Sequence, residues 1–147
     1  MIKISMFLGE YEYKIDPKGR IAIPPRFRGQ FMEGIVLAKG LDHYIIACTP
    51  KLWQEVSERF NTLPFARSKQ RRMGRIVFSS SFSLELDEQG RVLLPSPLRQ
   101  HAEIKESLVI AGVNTYLEIW SKELWDKEQA QMEDDAWQIF EGMETRQ

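Results

Sequence analysis

An aspartate and an arginine stand four residues apart twice in this chain, as Asp16 with Arg20 and Asp87 with Arg91. In each case a glycine, Gly19 or Gly90, directly precedes the arginine. Such a pair is poorly suited to acid–base catalysis, because the cation keeps the carboxylate ionised rather than poised near neutrality. It is well suited to holding a guanidinium in one pose. A guanidinium so held can fork onto guanine O6 and N7, or onto a phosphate. The same pair can also serve only as a turn brace and a weak surface ion pair. The residues alone leave both readings open.

Other chemistry finds little support. No nucleophile motif, metal-ligand cluster or phosphate-cradling glycine loop occurs. Cys48, His43 and His101 are the only soft ligands, and they lack the paired spacing of a zinc site. With one cysteine, no intrachain disulfide can form, and Cys48 reads as a small apolar residue of a buried strand. The expectation is a protein that is not an enzyme and has no metal, no cofactor and no small-molecule substrate.

The Asp–Arg pairs belong to an internal repeat. Residues Asp16 to Arg28 align without a gap on Asp87 to Arg99, at an offset of 71. After one inserted residue, Gly40, Tyr44, Leu52 and Trp53 match Gly112, Tyr116, Leu124 and Trp125. Duplication of one unit is the simplest account.

The elements that must position the pairs follow from local pattern. Tyr11, Tyr13 and Ile15 alternate with Glu12 and Lys14, as a half-buried strand requires. Asp16-Pro17-Lys18-Gly19 is a turn, and Arg20–Ile23 resumes a strand, giving a β-hairpin with Lys18 at its tip. Pro24 and Pro25 end that strand. A short helix should follow, with Phe27 and Phe31 on one face. Arg28 and Arg99 then either brace their short helices or face a ligand.

Ile35–Leu37 and Tyr44–Ala47 suit two more strands. Thr49 can cap a helix whose apolar stripe is Leu52, Trp53, Val56 and Phe60, closed by Pro64. The second copy repeats the plan from Phe82, Leu84 and Leu86 onward. Ser121 caps a longer last helix with Trp125, Met132, Ala136, Ile139, Phe140 and Met143 along one side. That stripe reads as a packing or assembly surface.

The chain has 147 residues, 43% hydrophobic and 28% charged, a globular composition. Each repeat, at roughly 45 residues, is too small to bury a sufficient core alone. The two should fold as one pseudo-symmetric body with interleaved hairpins. No apolar run approaches the ~20 residues of a membrane-spanning helix, and Met1–Ser5 lacks the h-region of a secretory signal. A cytoplasmic protein without a membrane partner is expected. The formal net charge of −1 hides an asymmetry, because residues 121–147 carry eight acidic against three basic side chains, leaving +4 on residues 1–120. A mildly basic body suits a polyanion partner. The acid-free run Arg67, Lys69, Arg71, Arg72 and Arg75 reads as a solvated face, a DNA contact, or a partner for a neighbouring acidic helix.

Met6-Phe7-Leu8-Gly9-Glu10-Tyr11, Asp16-Pro17-Lys18-Gly19-Arg20 and Ile23-Pro24 resemble the opening of MraZ proteins. Asp87-Glu88-Gln89-Gly90-Arg91-Val92-Leu93-Leu94-Pro95 resembles the second Asp-x-x-x-Arg motif of that family, and Glu118-Ile119-Trp120-Ser121 with Trp125 also fits. The resemblance implies an α+β fold, mainly β: tandem AbrB-like swapped-hairpin (double-split β-barrel) modules with flanking helices. The expected division is a first module over 10–54, a helical connector over 55–80, a second module over 81–125 and an acidic C-terminal helix over 126–147.

The resemblance further implies a sequence-specific DNA-binding transcriptional regulator, nucleoid-associated and assembled as a ring-shaped homo-oligomer. Its partner would be double-stranded promoter DNA, at direct repeats upstream of the division and cell-wall operon that includes its own gene. Carried over residue by residue, Arg20 and Arg91 face DNA, with Lys14, Lys18 and Arg28 in support and Asp16, Gly19, Asp87 and Gly90 shaping the motif. The second hairpin departs from the first, with Glu88 and Gln89 in place of Pro17 and Lys18, and is less basic. The rival expectation is an oligomeric scaffold or partner-binding module that binds no DNA.

Overall fold

A computed structural model of the chain describes residues 6–60 and 68–144. Arg67 of the basic run and Pro64, expected to close the helix, lie outside the described residues. The first repeat contains β1 (Glu10–Lys14), β2 (Arg20–Ala22), a 3-10 helix (Pro25–Phe31), β3 (Ile35–Lys39), β4 (Ile45–Cys48) and α1 (Pro50–Phe60). α2 (Ser68–Phe78) leads to β5 (Phe82–Leu84), β6 (Arg91–Leu93), α3 (Ser96–His101), β7 (Ser107–Gly112), β8 (Leu117–Ser121) and α4 (Lys122–Glu144).

The strands exchange between repeats. One antiparallel sheet has the order β1-β7-β8-β4-β3-β5, and β2 pairs with β6 as a separate two-stranded ribbon. The first strand of each repeat thus lies on the third strand of the other: Tyr13 opposes Leu108, and Leu84 opposes Ile35. The ribbon centres on Ile21 opposite Val92, which are equivalent repeat positions, with Arg20 opposite Leu93 and Ala22 opposite Arg91. Across the sheet, Ile46 opposes Glu118, again an equivalent pair. A pseudo-two-fold axis therefore runs through these two pairs.

This corrects the laddered hairpin expected from the sequence: each strand–turn–strand hairpin is open, and its two strands pair elsewhere. β1 and β2 do not form a ladder with each other; they meet only at the turn, where the Asp16 N–H donates to Arg20 O at 2.9 Å. One residue earlier, the Ile15 N–H already donates to Glu106 O of the other repeat at 2.8 Å. Crossing over lets the apolar faces of two undersized repeats cover one another. The shared core contains Phe7, Ile21, Phe27, Phe31, Leu37, Val92, Leu98, Leu108 and Ile110. Phe27 and Phe31 are both buried, as their spacing predicts, and Phe31 stacks on Phe7 at a centroid distance of 5.4 Å.

Residues on the other sheet face, Val109, Ala111 and Trp120, take the first turns of α4 through Trp125. The Trp125 Nε1–H donates to Glu10 Oε2 at 3.2 Å. Both expected caps form: the Leu52 N–H donates to Thr49 Oγ1 at 3.2 Å, and the Leu124 N–H donates to Ser121 Oγ at 3.1 Å. The stripe on α1 is only half covered, by edge-on rings such as Trp53 on Phe78 at 5.8 Å. On α4 the apolar side emerges from the body past Trp125, and Trp137 (76% exposed), Phe140 and Met143 face outward. No described helix is long and apolar enough to cross a membrane.

Cys48 is buried in β4, and burial pushes its thiol up to about 11. The folded protein at pH 8 is therefore expected to resist a disulfide-exchange reagent that the urea-unfolded chain consumes within minutes. Rapid native-state labelling would show that β4 opens readily.

Candidate nucleic-acid interface

The two Asp–Arg turns have the same construction. Asp16 Oδ1 accepts from the Lys18 and Arg20 backbone N–H groups at 2.9 and 2.8 Å, and Oδ2 accepts from Arg20 Nε at 2.7 Å. Asp87 Oδ1 accepts from Gln89 and Arg91 N–H at 2.9 and 2.8 Å, and Oδ2 from Arg91 Nε at 2.9 Å. Each aspartate carbonyl also accepts from the following glycine, Gly19 or Gly90, at 2.9 Å. Those glycines sit at φ +83° and +75°, a region that disfavours a side chain.

Each carboxylate therefore does two things at once. It closes the turn, and it fixes its arginine through Nε, while the terminal nitrogens of Arg20 and Arg91 bond to none of the described residues. These nitrogens keep the fork geometry that suits a phosphate or a guanine edge.

The backbone N–H of Arg20 is the main cause that holds the Asp16 carboxyl below its ordinary value, with the guanidinium adding to it. Arg91 acts likewise on Asp87. A depressed carboxyl contributes its stabilisation above the ordinary value and loses it as pH falls through the folded one. The amide resonances of Gly19 and Gly90 should hold their folded positions down to the ordinary carboxyl value of 3.8 and shift only below it. A shift centred above that value would contradict the bonded carboxylate.

The ribbon assembles the two arginines. Side chains alternate along β2 and β6, so Ile21 and Val92 point into the core, where both are buried. Arg20, Ala22, Arg91 and Leu93 share the opposite face, on which Leu93 is 53% exposed. The arginines stand on a cross-strand diagonal, roughly 7–8 Å apart at the backbone. The sequence marks each arginine by its own motif but not that the two share one strand pair, because that pairing joins different repeats.

A reciprocal clasp holds the ribbon. The Ile23 N–H donates to Gly90 O at 2.9 Å, and the Leu94 N–H donates to Gly19 O at 2.8 Å. Arg28 lies across the second turn and not its own, donating from Nε to Ile23 O at 2.9 Å; a Cβ at Gly90 would meet that Nε at 2.1 Å. Arg99 Nη1 lies 3.5 Å from the corresponding point at Gly19. Arg28 and Arg99 thus each reach the turn of the other repeat. Their equivalence in the repeat was the available signal, since a swapped body carries equivalent residues to exchanged places.

The supporting lysines are less closely held. Lys18 is exposed at the first tip and its ammonium has no partner among the described residues. Lys14 ends β1 and pairs loosely with Glu106 at 3.8 Å, both well exposed. Lys69, Arg71, Arg72 and Arg75 line one open surface of α2. Among the described residues no group of three or more His, Cys, Asp or Glu side chains is placed to hold a metal ion.

A family model described as "MraZ protein, putative antitoxin-like" matches the chain twice, over residues 6–76 and 77–146. The chain is 42% identical over 140 residues to a protein of Dehalococcoides mccartyi named "Transcriptional regulator MraZ", covering 95% of this chain and 99% of that one. Proteins of the same name from Desulforamulus reducens (41% over 138 residues, 94% and 97% covered) and Carboxydothermus hydrogenoformans (44% over 121 residues, 82% and 85% covered) are similar. This is a family of transcriptional regulators and not one of enzymes. With two successive matches that follow its own duplication, and relatives aligned over nearly its full length, the chain belongs to the MraZ family.

Proposed function

We propose that the chain is a sequence-specific DNA-binding transcriptional regulator that applies the outer face of the β2–β6 ribbon to a duplex. The observation that carries this reading is the pair of carboxylate-held arginines, Arg20 and Arg91, on the one solvent-facing side of a two-stranded ribbon. A ribbon of this width fits the major groove, and a held guanidinium binds guanine or phosphate with less ordering cost. Lys18 and Lys14 supply phosphate contacts beside Arg20. Arg28, a supporting DNA-binding residue, shapes the second turn beside Arg91. The strand exchange is the AbrB-like swapped-hairpin arrangement, with modules over 10–54 and 81–125 joined by the 55–80 connector and followed by the helix over 126–147.

The targets proposed are direct repeats upstream of the division and cell-wall operon that includes the chain's own gene. One chain offers few phosphate contacts, so several copies in a ring-shaped homo-oligomer would engage several repeats together. The outward apolar side of α4, with Trp137 and Phe140, supports assembly. The protein would work in the cytoplasm, associated with the nucleoid.

Fluorescence anisotropy against DNA from upstream of the gene, with scrambled DNA as control, tests the reading at two salt concentrations. Selective binding that weakens steeply with salt is expected. That same α4 surface favours a second reading, an oligomeric scaffold without DNA, for which a folded sample would bind neither DNA at either salt.

A further inference from the structure

The two hairpins are alike in backbone and opposite in charge. Their turns match bond for bond. Residues 14–20 carry Lys14, Lys18 and Arg20 against Asp16, a net of +2; residues 85–91 carry Arg91 against Glu85, Asp87 and Glu88, a net of −2. The positions that differ in charge are Lys14 against Glu85, Pro17 against Glu88 and Lys18 against Gln89, and all six side chains are exposed. The clasp does not even this out, because Arg28 at the second turn is matched by Arg99 at the first. Glu106 beside Lys14 is itself 74% exposed and screens it weakly.

Electrostatic attraction to phosphates supplies much of the affinity of a basic surface for DNA. A hairpin of net −2 charge opposes that attraction on its side of the ribbon. An exact two-fold body would read a duplex equally when turned end for end. Here the two orientations differ, because exchanging the hairpins places Glu85, Glu88 and Gln89 where Lys14, Pro17 and Lys18 had stood.

Resting on the DNA-binding reading above, we infer that the second hairpin's own charge holds it off the phosphates, so the first hairpin carries the phosphate grip and each chain reads DNA in one polarity. Arg91 then contributes at a base edge, without the lysines that accompany Arg20. Glu85 and Glu88 are the residues that set this difference.

The test compares wild type with the E85K/E88K double variant and with R20A and R91A, all checked for unchanged melting, on the same upstream DNA. E85K/E88K brings the second hairpin to the charge of the first. It should bind at least about tenfold tighter near 0.1 M salt, with a log–log salt slope steeper by about two. R20A should lose at least about tenfold more affinity than R91A. Unchanged affinity and slope in E85K/E88K, or equal losses in R20A and R91A, would overturn the inference while leaving DNA binding in place. If wild type and all variants bind no DNA, the regulator reading fails and the inference fails with it.

Discussion

Replacing Arg20 by alanine is expected to weaken binding to the upstream DNA by about ten- to a hundredfold per engaged chain, as loss of one well-placed forked contact does. The melting transition should stay where it is. Asp16 Oδ1 would still accept from the Lys18 and Arg20 backbone N–H groups, so the turn survives without the guanidinium. Ile21, the buried residue of β2, is untouched and remains opposite Val92. Arg20→Lys should recover only part of the loss, because an ammonium keeps the charge and lacks the planar fork. Full affinity in Arg20→Ala would remove the first turn from the site. A collapsed melting curve would mean instead that Arg20 is chiefly a brace.

The largest stability effect is expected at Phe31. Its side chain is 1% exposed, stacks on Phe7 at 5.4 Å, and belongs to the core shared by the two repeats. Phe31→Ala should cost about 3–5 kcal/mol in urea unfolding, a large part of the 5–15 kcal/mol that holds an ordinary domain together. The neighbour Met32 is 86% exposed, and Met32→Ala should shift the midpoint hardly at all. Similar small changes at both positions would show that this end of the core is loosely packed. Because Phe7 packs against both Phe27 and Phe31, double variants of Phe7 with either should not be additive.

Local features were legible in the sequence because their causes are local. The Asp16–Gly19 turn follows from a carboxylate that bonds two residues ahead and a glycine that accepts positive φ. Thr49 and Ser121 announce the helices they cap. Duplication was legible too, and with it the mixed, mainly β fold in one body. The identity of each strand's partner was not. Period-two alternation in Tyr11 and Tyr13 says that one face is buried, and it is silent on whether β2 or β7 lies alongside. Hence the ribbon face shared by Arg20 and Arg91 became visible only in three dimensions, as did the reach of Arg28 to Gly90. The apolar stripe of α4 is visible in the sequence, yet past Trp125 its Ile139, Phe140 and Met143 are exposed. Period alone does not distinguish a core from an assembly surface.

The central claim is that the first hairpin lies against the duplex, and site-directed cleavage tests it most directly. Pro17 is exposed at the tip, and Cys48 is the only native cysteine, buried with its thiol raised to about 11. A Pro17→Cys variant can therefore be labelled selectively with an iron chelate that cuts nearby DNA backbone. The account predicts strong cuts confined to a few base pairs within the bound upstream segment, and none on scrambled DNA. Binding without cuts from the tip, together with cuts from the same chelate at Met143→Cys on α4, would place the duplex elsewhere on the molecule and contradict the account.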